Sequence, residues 1–381
     1  MWLLVRWGGV EPPRLAAHGP QPCLSANSST SANPKAIIIV ESCMSSMKEN
    51  SMRAIALDAM GSDSFPEPEI QAALEASLFL GRKIILVGDE KMLSPSIDFG
   101  IYKNVEIAHA PELVEMWEKP VESAKSKPNN SMAIGIRLIK EKKANAFITA
   151  GNTGGAMFNA LKELGRIKGV QRPALPGIFP TRNGKCVVLD IGANVDCRPD
   201  FLLQFAIMGS VYAKTLLGIK NPRIGLLSNG EEPGKGTQLI KETFSLLEKS
   251  KSNFIGNVEP KEIFNGEVDV AITDGFTGNV LVKGSEAVAK LITDVLKEQL
   301  MSSIRTKIGA LLAKNAFMEI KRLIDPEEIG AAPLLGVDGL VFVAHGRSNA
   351  KALISALKLA DQSIKTNMLS KLSKAIQNRI M

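Results

Sequence analysis

Two short segments of this chain carry side chains suited to handling an anion and a carbonyl. The first is Asn229-Gly230-Glu231-Glu232-Pro233-Gly234-Lys235-Gly236-Thr237, which follows an apolar run from Ile224 to Leu227. A lysine flanked by glycines just ahead of a helix sets a point charge beside free main-chain N–H donors, which suits phosphate. The second is Asp274-Gly275-Phe276-Thr277-Gly278-Asn279, between a run from Val268 to Ile272 and a helical pattern that begins near Val280. Its Asp, Thr and Asn are short polar groups, and its glycines let a ligand approach the main chain. A surface lysine and ordinary turn chemistry are the plain alternatives. The position of both segments at the carboxyl ends of apolar strands, where α/β proteins bind ligands, favours a site.

Three more turns have the same make-up: Asp58-Ala59-Met60-Gly61-Ser62-Asp63, Ala150-Gly151-Asn152-Thr153-Gly154-Gly155 and Gly192-Ala193-Asn194-Val195-Asp196. His345 ends the run from Val341 to Ala344 and precedes Gly346-Arg347-Ser348-Asn349, so it is either a turn cap or a contact to phosphate or substrate. Around Lys235 and Asn279 this makes Asp63, Asn152, Thr153, Asn194, Asp274, Thr277 and His345 the candidate substrate-binding residues. The Lys235 loop is not a nucleotide P-loop. Only three residues separate Gly230 from Gly234, and Gly236 stands where a Mg²⁺-binding hydroxyl belongs. There is no Gly-x-Ser-x-Gly elbow, no zinc motif and no Gly-x-Gly-x-x-Gly after the first strand, so no metal or cofactor is expected. The cysteines Cys23, Cys43, Cys186 and Cys197 form no Cys-x-x-Cys pair and read as reduced thiols.

The elements that must position these residues follow from periodicity. Buried strands are predicted at 54–57, 84–87, 146–149, 186–189, 224–227, 268–272 and 341–344. Helices are predicted near 67–80, 131–141, 153–164, 199–217, 236–249 and 348–358. Their alternation predicts a mostly parallel sheet with helices on both faces, a Rossmann-like α/β three-layer sandwich. The stretch from Gly284 to Ile324, within one α/β domain spanning 52–381, is a long helical pattern with no strand. Between Lys290 and Arg322 it holds seven basic residues against three acidic ones. Such a segment lies on an anionic bilayer or packs its apolar face in a helical subdomain or dimer contact.

The net charge of +7 favours acidic partners. Dispersed basic residues and 5% aromatics argue against nucleic acid. Residues 1–51 differ from the rest: they hold Trp2, Trp7 and a Pro/Ser/Asn-rich tract, and strand periodicity starts only at Met52. A translation start at Met52 is the expectation, with a disordered tail as the alternative.

Asp274-Gly275-Phe276-Thr277-Gly278-Asn279-Val280, Leu189-Asp190-Ile191-Gly192-Ala193-Asn194-Val195-Asp196-Cys197 and Gln204-Phe205-Ala206-Ile207-Met208-Gly209-Ser210 together resemble the phosphate acyltransferases of bacterial phospholipid synthesis. The resemblance runs from about Arg53 to about Leu357. It implies transfer of an acyl group from acyl-[acyl carrier protein] to inorganic phosphate, with Lys235 and Asn279 as the catalytic pair. It also implies a homodimer held peripherally at the cytoplasmic face of the membrane, with the stretch 284–324 as a helical projection. The family's opening motif is usually Met-Gly-Gly-Asp; here Ser62 replaces the second glycine, which would strain the loop if that position were left-handed. A phosphotransacetylase-like enzyme acting on coenzyme A thioesters and a non-catalytic membrane-surface scaffold are the competing readings.

Overall fold

The computed structural model describes residues 54–380 apart from residue 325. The segment 1–51 and the start expected at Met52 lie outside the described residues. The strands are β1 (Ala54–Asp58), β2 (Ile84–Gly88), β3 (Val105–His109), β4 (Ala144–Thr149), β5 (Pro176–Thr181), β6 (Gly184–Leu189), β7 (Ile224–Leu227), β8 (Phe254–Val258), β9 (Val270–Ile272), β10 (Ala331–Pro333) and β11 (Leu340–Ala344). The main helices are α1 (Glu67–Phe79), α2 (Ser131–Lys140), α3 (Thr153–Glu163), α4 (Pro199–Leu216), α5 (Gln238–Glu248), α6 (Gly275–Met301), α7 (Ile304–Leu312), α8 (Lys314–Ile324), α9 (Ala350–Lys365) and α10 (Met368–Ile380).

The chain is an α/β three-layer protein, as its periodicity predicts, but its strands divide between two sheets. One has six strands in the order β10-β11-β4-β1-β2-β3, the other five in the order β5-β6-β9-β7-β8. Only the β10/β11 and β5/β6 pairs are antiparallel. The central strands are buried on both faces, which is why they read as unbroken apolar runs. One apolar cluster, including Leu57, Ile148, Leu189, Phe205, Ile272 and Leu353, runs through both halves.

The separation of the sheets has a local cause. Ala174, just ahead of β5, and Leu335, just past β10, exchange both main-chain hydrogen bonds at 2.8 and 2.9 Å. An antiparallel ladder repeats that exchange two residues further on. Continued in this register, it would set Pro176 opposite Pro333, and neither proline has an N–H to donate. The ladder ends there, and β5 and β10 remain edges of different sheets.

Helix α6 is 27 residues long, roughly 40 Å. Only Gly275 and Gly278 are buried in it, and α7 buries nothing. Leu291, Ile292, Ile308, Leu311 and Leu312 are all exposed. These side chains therefore do not pack within a helical subdomain of the same chain. Among the described residues, no helix is long and apolar enough to cross a membrane.

Candidate active site

Strands β6, β9 and β7 are parallel neighbours, with Leu189 in register with Ile272 and Ile272 with Leu226. Their carboxyl ends are level and about 4.8 Å apart in turn. The turns that follow, which contain Asn194, Asn279 and Lys235, thus leave one edge of one sheet side by side. The six-stranded sheet repeats the arrangement with β1, β4 and β11, whose following turns contain Asp63, Asn152 and His345.

Asp190 organises the turn after β6. Its Oδ1 accepts from the N–H groups of Leu175 (2.9 Å), Gly192 (3.3 Å) and Ala193 (3.2 Å). Its Oδ2 accepts from Asn194 N (2.6 Å) and Asn194 Nδ2 (2.9 Å). Asn194 Nδ2 also donates to the Pro173 carbonyl at 2.7 Å, so its amide is occupied with holding the loop. Burial raises the Asp190 carboxyl above its usual range, while these donors oppose the shift.

Helix α6 begins against this loop. Asp274 caps it: Oδ1 accepts from Thr277 N and Oδ2 from Thr277 Oγ1, both at 2.8 Å. Gly275 N donates to the Asn194 carbonyl at 2.7 Å. A Cβ on Gly278 would lie 1.9 Å from the Asp190 carbonyl oxygen, so only glycine lets the first helical turn sit there. Asn279, the next residue, is exposed, and its amide carbon lies at the Gly192 turn, 4.0 Å from where a Cβ on Gly192 would be. It makes no side-chain hydrogen bond among the described residues.

Lys235 is exposed, and its stem packs across Gly230, where a Cβ would come within 2.9 Å of Lys235 Cγ. Its ammonium forms no ion pair among the described residues. Gly236 takes φ +92, which turns the chain into the Thr237 cap of α5. The result is a cation beside the open N–H end of a helix. The nearby carboxylates Glu231, Glu259 and Glu262 surround Lys261 Nζ at 2.8, 3.0 and 3.4 Å, so an ammonium already stands where a cation would bind.

On the six-stranded side several polar groups are spent on holding the loops, whereas the Asp63 and Thr153 side chains make no hydrogen bond among the described residues. Asn152 caps α3 through Gly155 N (2.9 Å) and donates to the carbonyls of Met116 (3.0 Å) and Glu118 (3.2 Å). Thr153 opens the same helix and is exposed. Asp63 N donates to the Gly346 carbonyl at 2.7 Å, tying the first loop to the His345 turn. His345 Nδ1 accepts from Arg347 N at 3.2 Å, the turn-capping arrangement. Asp58 accepts from Met60 N (3.1 Å) and Thr149 Oγ1 (2.7 Å). Ser62 N donates to Glu69 Oε1 at 3.1 Å. Burial holds the Asp58 and Glu69 carboxyls above their ordinary range. Ser62 is not left-handed: Lys142 and Asn367 are the only non-glycine residues with positive φ among those described. The strain that a serine would feel in that conformation does not arise.

Sequence reasoning named these turns but did not single out Asp190 and Gly278, which lock two of them together. The signal was present in both cases: Asp190 is the first polar residue after an apolar run, and Gly278 stands beside a polar residue at a helix start. Chemically, the five-stranded edge offers a cation with helix amides for a phosphate, and a neutral amide donor for a developing oxyanion.

Comparison with known proteins bears on the family and the fold. Residues 53–371 match the family model described as "Fatty acid synthesis protein". A phosphate acyltransferase from Acidobacterium capsulatum is 46% identical over 309 residues, covering 80% of this chain and 92% of that protein. One from Pelotomaculum thermopropionicum is 44% identical over 325 residues, covering 85% and 95%. Among solved structures, the EutD phosphotransacetylase from Staphylococcus aureus aligns with a TM-score of 0.54 at 16% identity, over 86% of this chain and 99% of that one. A branched-chain phosphotransacylase from Enterococcus faecalis gives 0.54 at 12% identity, over 82% and 99%. These two likenesses bear on the fold alone. With the family model spanning most of the chain and relatives this similar, the chain belongs to the phosphate acyltransferase family of fatty acid and phospholipid synthesis.

Proposed function

We propose that the protein transfers a long-chain acyl group from acyl-[acyl carrier protein] to inorganic phosphate, giving acyl phosphate for phospholipid synthesis. The observation that carries this reading is the division among its asparagines. Asn152 and Asn194 spend their amides on their own loops, whereas Asn279 keeps its amide uncommitted at the Gly192 turn, in the helix after the strand that neighbours β7. Lys235 and the N–H groups at the start of α5 hold the phosphate dianion. A phosphate oxygen attacks the thioester carbonyl, and Asn279 Nδ2 donates to the oxyanion that forms. Collapse of the tetrahedral intermediate breaks the C–S bond and releases the carrier thiolate, which takes up a proton. No covalent enzyme intermediate is required.

The exposed apolar and basic projection of α6 to α8 suits an anionic membrane surface or the same projection of a second copy, in keeping with a homodimer at the cytoplasmic face. The net charge of +7 favours an acidic carrier protein. The likeness in fold to phosphotransacetylases supports one second reading, transfer from coenzyme A thioesters. Incubation with palmitoyl-[acyl carrier protein] or palmitoyl-coenzyme A, each with and without phosphate, separates the two. Phosphate-dependent, hydroxylamine-trappable acyl phosphate from the carrier thioester supports the first reading. Product from coenzyme A alone supports the second, and none from either leaves a non-catalytic scaffold.

A further inference from the structure

The proline-broken seam between the sheets borders a half-open cavity of about 510 Å³. Its walls come from β5 (Pro176, Ile178), β10 (Ala331, Ala332), β11 (Val343) and helix α6, and most of its lining is apolar. The α6 residues that line it are Val282, Ser285, Glu286 and Ala289. Their spacing of three and four is that of a single helix face. Asn279 lies three residues before Val282 and heads the same stripe. Ile191, from the turn that Asp190 holds, and His345, from the turn after β11, also line it. The cavity therefore reaches the turn against which the Asn279 amide lies, and extends from there along α6 to Ala289. From Asn279 to Ala289 the helix rises roughly 15 Å.

We propose that this cavity is the acyl-chain channel of the enzyme, with the thioester carbonyl at Asn279 and the chain laid along the α6 stripe, and that Ala289 and Ala332 set the chain length it accepts. The assignment rests on the acyltransfer reading above and adds which surface binds the chain. Its physical basis is the absence of side-chain bulk where the walls meet. A Cβ on Gly177 would already lie 3.0 Å from an Ile191 methyl. Ala289, Ala331 and Ala332 likewise keep their sections open. A saturated chain is the ligand that an elongated apolar channel binds best, at about fourfold in affinity for each methylene buried.

The test compares the full chain with its Ala289→Phe and Ala332→Leu variants, from opposite walls of the cavity. kcat/KM is measured with octanoyl and palmitoyl donors, and palmitate binding by calorimetry. Filling the channel is expected to lower the palmitoyl-to-octanoyl ratio by about tenfold or more, the equivalent of a few methylenes lost. Palmitate binding should weaken in parallel. An unchanged ratio in two folded variants, or palmitate binding as strong as in the native protein, overturns the assignment. If the native protein turns over neither thioester, the acyltransfer reading fails on its own. In that event calorimetry still decides the cavity, because palmitate that binds the native protein and not Ala289→Phe places the chain there, and palmitate that does not bind excludes it.

Discussion

The turns at the ends of the two sheets are built from the same residue types but use them differently. On the six-stranded side Asp58, Asn152, Thr149 and His345 bond to neighbouring groups and hold three loops together. On the five-stranded side Asp190 and Asn194 do the same work, and by doing it they leave Lys235 and Asn279 uncommitted. The lesson is that residue type and position mark a functional turn, whereas hydrogen-bond commitment tells which of its residues can act. On the proposed mechanism, one side frames the site and the other performs its chemistry.

The sharpest way to break that distinction is Asn279→Ala. Loss of the proposed oxyanion donor is expected to reduce kcat by about 10²–10³-fold, with the thermal midpoint unchanged, as read by steady-state kinetics and calorimetry. Lys235→Ala should follow, with kcat/KM for phosphate falling by roughly 10- to 100-fold, the range for a lost charge-assisted hydrogen bond. Asn152→Ala should reverse the pattern. It removes a helix cap, so the melting temperature drops by about 2–4 °C while kcat barely moves. A rate loss from Asn152→Ala matching that of Asn279→Ala would place chemistry on both sheets.

The smallest effect tests the frame through pH. Burial raises the folded Glu69 carboxyl, so its contribution to stability is complete below the unfolded pKa and is lost as pH rises through the folded one. Glu69→Gln does not ionise and escapes that loss. Its melting temperature relative to the native protein should therefore climb as pH rises above the ordinary carboxylate range. A difference that shrinks as pH rises would mean that the carboxylate is stabilised in its charged form.

What the sequence revealed of the fold follows a physical line. The seven predicted strands are β1, β2, β4, β6, β7, β9 and β11, all interior to a sheet. The four it missed, β3, β5, β8 and β10, are the four edges. Interior strands need apolar side chains on both faces and so announce themselves. Edges need not: β5 contains Pro176 and Pro180, β8 contains Gly256 at φ +109, and β10 ends in Pro333. The division into two sheets depends on those edges and was unreadable for the same reason. The candidate site was legible as a set of turns because Gly, Asn and Asp cluster after apolar runs. Which asparagine remained uncommitted was not, since that depends on carbonyls such as those of Pro173 and Met116, which are distant in sequence.

The opposed prolines bear on how a substrate reaches its place. An acyl chain joined to a carrier protein has one end too bulky to pass through a closed tube, so it must slide in tail first or be laid in from the side. A continuous ladder between β5 and β10 would zip the side shut, and parting it would sacrifice main-chain hydrogen bonds with each opening. With Pro176 and Pro333 at the point where the zip would continue, the main-chain bonds between the two strands stop at Ala174 and Leu335, and mostly apolar walls meet beyond them. On the proposed acyl-channel reading, two residues unable to donate a hydrogen bond thereby turn a potential wall into a slit through which a tethered chain would enter broadside.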